Sequence, residues 1–161
     1  MKHKCDRRDF IKTTAGVAVA AATTRSGFAQ EKDDEVDENI ITAELGLAKK
    51  LADKEPHLIK AEFKDFEENI VEAEKVFARW KKINNLTGRW IVVSAICQHL
   101  KCKVEYYPGP SRFICPCHGS EYDINGHKVE GPTKRDLPDY SDQVVVEDGV
   151  LMLKREIPEE K

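Results

Sequence analysis

Cys97-Gln98-His99-Leu100-Lys101-Cys102 and Cys115-Pro116-Cys117-His118-Gly119-Ser120-Glu121-Tyr122 decide the reading of this 161-residue chain. Four of its five cysteines and two of its five histidines lie in these two stretches. Each pairs a thiol with an imidazole, Cys97-x-His99 in the first and Cys115-x-x-His118 in the second, forming two pincers that meet if they sit at the tips of facing loops. Thiolates and neutral imidazoles are metal donors. A structural zinc site draws on the same donors, but six candidates in this order match no finger spacing. A plain disulfide framework accounts for four cysteines and leaves both histidines unexplained.

The motifs Cys-x-His-Leu-x-Cys and Cys-Pro-Cys-His-Gly-Ser-x-Tyr resemble those of Rieske iron–sulfur proteins, of the type found in cytochrome bc complexes. The resemblance covers residues 58–158, with the cluster loops within 95–133. It implies one 2Fe–2S cluster, with Cys97 and Cys115 on one iron and His99 and His118 on the other, and a disulfide between Cys102 and Cys117. Histidine in place of cysteine on one iron raises the reduction potential. Ser120 and Tyr122 match positions whose hydroxyls bond to sulfur and raise it further. Gly131-Pro132-Thr133, with Leu137-Pro138, resembles the loop that shields a third side of the cluster; Thr133 stands where alanine is usual, and Lys101 where glycine is usual.

By the same resemblance the chain is the iron–sulfur subunit of a quinol-oxidising cytochrome bc complex, an electron-transfer subunit and not catalytic alone. His118 and His99 would contact quinol, Leu100 would pack against a cytochrome b partner, and the electron would pass to a c-type cytochrome. Lys101 puts a cation at the loop tip, which would raise the potential, select an acidic partner or alter the docking, or else is a solvated side chain without consequence. The alternative is a soluble periplasmic Rieske subunit of another oxidoreductase, such as arsenite oxidase. A ferredoxin feeding a ring-hydroxylating oxygenase fits less well, since that group lacks the two extra cysteines and works in the cytoplasm.

The N-terminus points to the same compartment. Asp6-Arg7-Arg8-Asp9-Phe10-Ile11-Lys12 looks like a twin-arginine export signal, followed by an uncharged run from Thr13 to Thr24 and a small-x-small cleavage site at Gly27-Phe28-Ala29. Folded export suits a protein whose cluster is assembled in the cytoplasm, and a paired disulfide suits an oxidising destination. Spanning a membrane takes about 20 apolar residues, so residues 1–30 read as a signal that is cleaved, or else a short anchor. Cys5 would leave with it. The expected place is the periplasmic side of a bacterial membrane, with membrane association through a partner or an uncleaved signal. A net charge of -3 gives no reason to expect nucleic acid.

Between signal and motifs, residues 31–57 read as an acidic linker and an amphipathic helix. Ile40, Ile41, Leu45, Ala48, Leu51 and Ala52 recur at helical spacing, and Pro56 ends the run. That helix either packs on its own domain or docks a partner subunit. Residues 58–82 are double-valued: Phe63, Phe66, Ile70, Ala73, Phe77 and Trp80 make a helical stripe, while Val76, Ala78 and Trp80 alternate as a strand does, and a strand is expected over 75–82. Beyond that, short strands over 90–95, 103–107, 112–115, 121–124, 127–130, 144–147 and 150–153 alternate with turn residues. Asn125-Gly126 and Asp148-Gly149 both suit two-residue hairpins with left-handed torsions. His127 reads as a surface residue. The expected fold is an all-β, antiparallel Rieske-type β-sandwich with a cluster-binding subdomain, preceded by a helical segment.

Overall fold

A computed structural model describes residues 39–157. The twin-arginine stretch, the cleavage site, Cys5 and most of the acidic linker lie outside the described residues. In chain order the elements are β1 (Ile40–Leu47), the single helical turn α1 (Ala48–Leu51), β2 (His57–Lys64), β3 (Ile70–Lys82), β4 (Gly88–Ser94), β5 (Glu105–Tyr107), β6 (Arg112–Ile114), β7 (Glu121–Asp123), β8 (Lys128–Glu130), a 3-10 turn (Ser141–Gln143), β9 (Val144–Glu147) and β10 (Val150–Glu156). A six-stranded sheet has the order β4-β3-β2-β1-β10-β9, and a four-stranded sheet the order β5-β6-β7-β8, with antiparallel neighbours throughout.

Two cores follow from strand alternation. Ile41, Ala43 and Leu45 of β1, Ala61 and Phe63 of β2, Val76 and Ala78 of β3, Trp90 and Val92 of β4, and Leu151 and Leu153 of β10 fill one. Ile91 and Val93 point to the opposite face of β4 and enter the second core with Phe77, Val104, Phe113, Tyr122 and Leu137. Successive strand residues face opposite sides, so the series 91, 93, 95, 97 carries Cys97 into that second core. Phe113 of β6 and Cys115, just beyond its end, repeat the device. Phe113 stacks on Phe77 at 4.5 Å between ring centroids, fixing the small sheet to the large one.

The returning chain covers the outer edge of β4. Ser94 N–H donates to Pro138 O at 2.9 Å, Tyr140 N–H to Val92 O at 2.7 Å, and Val92 N–H to Ser141 Oγ at 3.0 Å. Arg155 locks the far side of this join, its guanidinium 4.3 Å over the Phe63 ring and 4.9 Å from that of Tyr140, with bonds to Glu72 and Glu74.

Three expectations are corrected. Over the described part of residues 31–57 the expected amphipathic helix is instead β1, paired with β10 along its length, with helical torsions confined to one turn. The inward period is two, through Ile41, Ala43 and Leu45; the register shifts between Glu44 and Gly46 (φ +123°), and Ala48 and Leu51 of the helical turn that follows complete the apparent helical spacing. No partner-docking helix therefore exists over residues 39–53. Second, the stripe from Phe63 to Trp80 runs through two long paired strands and the turn between them, which holds Phe66, so β3 begins well before residue 75. Third, Asp148 and Gly149 both have positive φ as a two-residue turn requires, but at Asn125-Gly126 only Gly126 does. Asp123 accepts the Asn125 and His127 N–H groups there and stabilises a wider loop. His127 is exposed and paired with Asp136 at 3.1 Å.

Candidate metal centre

The two motif loops are built on one backbone plan. In the first, Cys97 N–H donates to Cys102 O at 2.7 Å and Lys101 N–H to Cys97 O at 3.0 Å; in the second, Cys115 N–H donates to Ser120 O at 2.8 Å and Gly119 N–H to Cys115 O at 3.0 Å. The fifth residue of each loop takes the left-handed conformation, Lys101 at φ +59° and Gly119 at φ +68°. Glycine adopts that region freely, whereas other L-residues pay roughly 1–2 kcal/mol there. Part of that is returned because glycine also loosens the unfolded chain. Lys101→Gly is therefore expected to raise the unfolding free energy by about 0.5–1 kcal/mol, read by denaturant titration.

Cys102 and Cys117 are joined by a disulfide that ties loop to loop, with 6.5 Å between their Cα atoms. Cys97 and Cys115 remain free and buried. The sulfur of Cys115 lies within 4.8 Å of both disulfide sulfurs, so the bridge packs directly beside it. The rings of His99 and His118 approach edge to face at 4.9 Å. His118 is exposed and His99 half-buried. His99 Nδ1 is buried with no hydrogen-bond partner.

A hydroxyl cluster sits under Cys97. The Tyr122 oxygen accepts the Gln98 N–H at 3.3 Å, which leaves its own proton for Cys97 Sγ at 3.2 Å. Burial pushes the Cys97 thiol up, but bonds from the Tyr122 hydroxyl, the His99 amide, Cys115 and Ser120 outweigh it and hold the thiol below its ordinary value. Burial and the neighbouring Cys97 push Cys115 the other way. Ser120 Oγ accepts the Thr133 N–H at 3.3 Å, so the Gly131-Pro132-Thr133 loop is fastened to the second motif. Gly131 lies so close that a Cβ there would fall 2.6 Å from Gly119 O and from Ser120 Cα. Leu100, 61% exposed, stands at the tip beside the imidazoles, and Pro132 is exposed.

The structure thus brings all the motif residues together. Gln98 escaped the sequence reading: its amide orients Tyr122, and its side chain bonds Ile96 O and Lys101. A backbone N–H leaves no mark in side-chain identity, so only the fold could reveal it.

The donor set fits a 2Fe–2S cluster. An unpartnered buried nitrogen normally costs free energy, and His99 Nδ1 becomes a ligand atom rather than an orphan if iron lies against it. Two imidazoles sharing one tetrahedral metal place their centroids about 5 Å apart, close to the spacing seen.

Comparison with known proteins defines the class. Residues 56–141 match the model of the Rieske 2Fe-2S domain, more than half of the chain, and the chain belongs to that family. Residues 4–24 match the twin-arginine translocation (TAT) pathway signal sequence, which directs export across a membrane. Among curated relatives, the cytochrome b6-f complex iron-sulfur subunit of Prochlorococcus marinus strain AS9601 is 44% identical over 63 residues, 39% of this chain and 34% of that protein. The subunit from strain MIT 9211 is 51% identical over 45 residues, 28% of this chain and 25% of that protein. The match spans about a third or less of these relatives' length. Among solved structures, the cyanobacterial plasma membrane Rieske protein PetC3 from Synechocystis PCC 6803 aligns with a TM-score of 0.44 at 24% identity, over 70% of this chain and 98% of that one. A hyperthermophilic respiratory Complex III aligns with a TM-score of 0.47 at 23% identity, over 68% and 72%.

The protein is accordingly an electron carrier with a Rieske 2Fe–2S cluster, related to the iron–sulfur subunits of cytochrome bc complexes. Among the described residues no helix is long and apolar enough to cross a membrane.

If Cys97 holds the cluster, a donor aimed at its sulfur favours the state with the extra electron. Tyr122→Phe removes the hydroxyl proton directed at Cys97. Taking roughly 1 kcal/mol as the difference between redox states, the midpoint potential is expected to fall by about 40–50 mV, measured by potentiometric titration.

Proposed function

We propose that this chain is the iron–sulfur subunit of a quinol-oxidising complex of the cytochrome bc type, working on the far side of the membrane that its signal directs it across. Cys97 and Cys115 would hold one iron, and His99 and His118 the other. When bound, the cluster supplies a one-electron couple at high potential.

The chain's own residues supply the rest. The observation that carries the reading is the paired imidazoles at the loop tips, 4.9 Å apart, with His99 Nδ1 turned inward. Nε2 of that ring is then the nitrogen left to hold or release a proton. His118, the more exposed ring, would accept the hydrogen bond of a quinol hydroxyl and take its proton as the electron leaves the quinol. Leu100 offers an apolar contact next to that ring, suited to a cytochrome b surface around a quinol pocket. The disulfide and the Gly131–Thr133 segment hold the tips, and the hydroxyls of Tyr122 and Ser120 raise the affinity for the electron. A c-type cytochrome is the proposed acceptor.

The test is the midpoint potential of the cluster-loaded protein against pH. A value toward the top of the Rieske range of about -150 to +300 mV is expected, falling on the alkaline side by about 59 mV per pH unit for each proton carried with the electron. A low potential that stays flat across neutral pH would remove the quinol reading and leave a ferredoxin-like carrier.

A further inference from the structure

The chain has a net charge of -3, yet four lysines converge on one groove beside the first metal loop. Lys60, Lys75, Lys101 and Lys103 line a recess of about 360 Å³, floored in part by Ile96. Their convergence follows from strand register. Lys60 of β2 lies directly opposite Lys75 of β3. Ala95 N–H donates to Lys75 O at 2.8 Å, and the next residue, Ile96, forms a β-bridge with Lys103. Lys60 and Lys75 therefore stand side by side on adjacent strands, the isolated bridge beyond β4 brings Lys103 to the same recess, and Lys101 carries the positive charge to the tip of the loop.

Like charges placed directly opposite across strands repel, and the fold does little to neutralise these. Lys60 pairs with Glu62, but among the described residues no carboxylate oxygen lies within 4.0 Å of the ammonium groups of Lys75, Lys101 or Lys103. Lys101 bonds the neutral side chain of Gln98. Glu74, the acid on the groove wall, already accepts bonds from Arg155, Tyr140 and Ser94. Among the described residues the set of lysines is thus a positive field that Glu62 and Glu74 offset only in part.

We propose that this groove docks an acidic surface of a protein that exchanges a single electron with the chain, so that carboxylates of the partner settle between Lys75, Lys101 and Lys103 and bring its redox centre against the first loop. This rests on the electron-carrier reading and adds the sign of the partner's charge. An electron carrier must meet and leave partners quickly, and complementary charge raises the encounter rate without requiring a large interface. The recess favours a protruding acidic loop over a flat layer of anionic headgroups, which would reach the rim alone. One electron crosses between the docked redox centres, and the docking itself makes and breaks no covalent bond.

Binding of the cluster-loaded protein to two probes tests this: plastocyanin, an acidic copper protein, and mitochondrial cytochrome c, a basic haem protein. Titration calorimetry at low salt is expected to show binding to plastocyanin, weakened about tenfold near 0.15 M salt, where the screening length is about 8 Å. Lys75→Glu with Lys103→Glu is expected to abolish plastocyanin binding and create binding to cytochrome c. Lys75→Gln with Lys103→Gln, the milder variant, should weaken the first without creating the second. The visible spectrum of each variant reports an intact cluster. The proposal is overturned if plastocyanin fails to bind the wild type at low salt, or binds wild type and charge-reversed protein alike. It is also overturned if phosphatidylglycerol vesicles, and neither protein, are captured in a lysine-dependent way. The potential titration above is independent of all these outcomes, so failure of docking leaves the quinol reading standing.

Discussion

Replacing both Cys102 and Cys117 with serine is expected to lower the unfolding free energy of the cluster-free protein by about 3 kcal/mol, the loop entropy released by opening a cross-link of this size. The bridge closes a sequence separation of 15 residues that contains the whole β5–β6 hairpin. Each loop keeps its own two backbone bonds, which do not depend on the other loop, so what disappears is the covalent tie between tips. For a domain of this size the loss corresponds to a melting temperature lower by roughly 10 °C, readable by calorimetry. In the loaded protein the cluster would itself join the two loops through Cys97 and Cys115, and would mask part of the thermal effect. The second measurement is then the rate of iron release to a chelator, which should rise in the variant. Unchanged values of both quantities would mean that packing alone holds the tips.

Gly131→Ala is expected to be nearly as costly, for a different reason. Its Cβ would meet two backbone atoms, Gly119 O and Ser120 Cα, each at 2.6 Å, and the residue also sits at φ +90°. Backbone atoms cannot rotate aside, so one of the two segments must move. Strain of roughly 1–2 kcal/mol and overpacking of roughly 1–3 kcal/mol together give a loss of about 3 kcal/mol. Ser120 would move with its segment, so the bond from Thr133 N–H would stretch. Gly119→Ala provides the contrast: φ is +68°, but the space beyond is open, so torsional strain acts alone. Denaturant titration of the two variants separates clash from strain, with Gly119→Ala expected to lose about 1 kcal/mol. Equal losses would mean that the close approach at Gly131 carries no weight.

The metal loops were readable because their chemistry is written in residue identity. Cysteine, histidine and glycine at fixed offsets have few other uses, and the β5–β6 hairpin between them is marked by Pro108, Gly109 and Pro110. The strands flanking those loops were readable from their turn residues. What stayed hidden was non-local. β1 pairs with β10 across most of the domain, and nothing in residues 40–47 names that partner. Ile41 and Leu45 lie four apart in a strand of period two as they would on a helix, and Ala48 and Leu51 of the helical turn that follows continue them as a helical stripe. The lysine groove was hidden in the same way: Lys101 drew notice alone, because opposing Lys60 and Lys75 requires the β2–β3 register.

The shared strand β4 has a consequence for how long the centre survives. Trp90 and Val92 belong to one core and Ile91 and Val93 to the other, so neither core can come apart without disturbing the same stretch of backbone. Proteins usually open in semi-independent pieces, and protruding loops are among the first to exchange their amide hydrogens. Here the strand that delivers Cys97 is the dividing wall of the whole domain, and the returning chain covers its outer edge. Release of the backbone that carries Cys97 is thereby tied to the opening of both cores, and the lifetime of a bound cluster is expected to follow that of the fold.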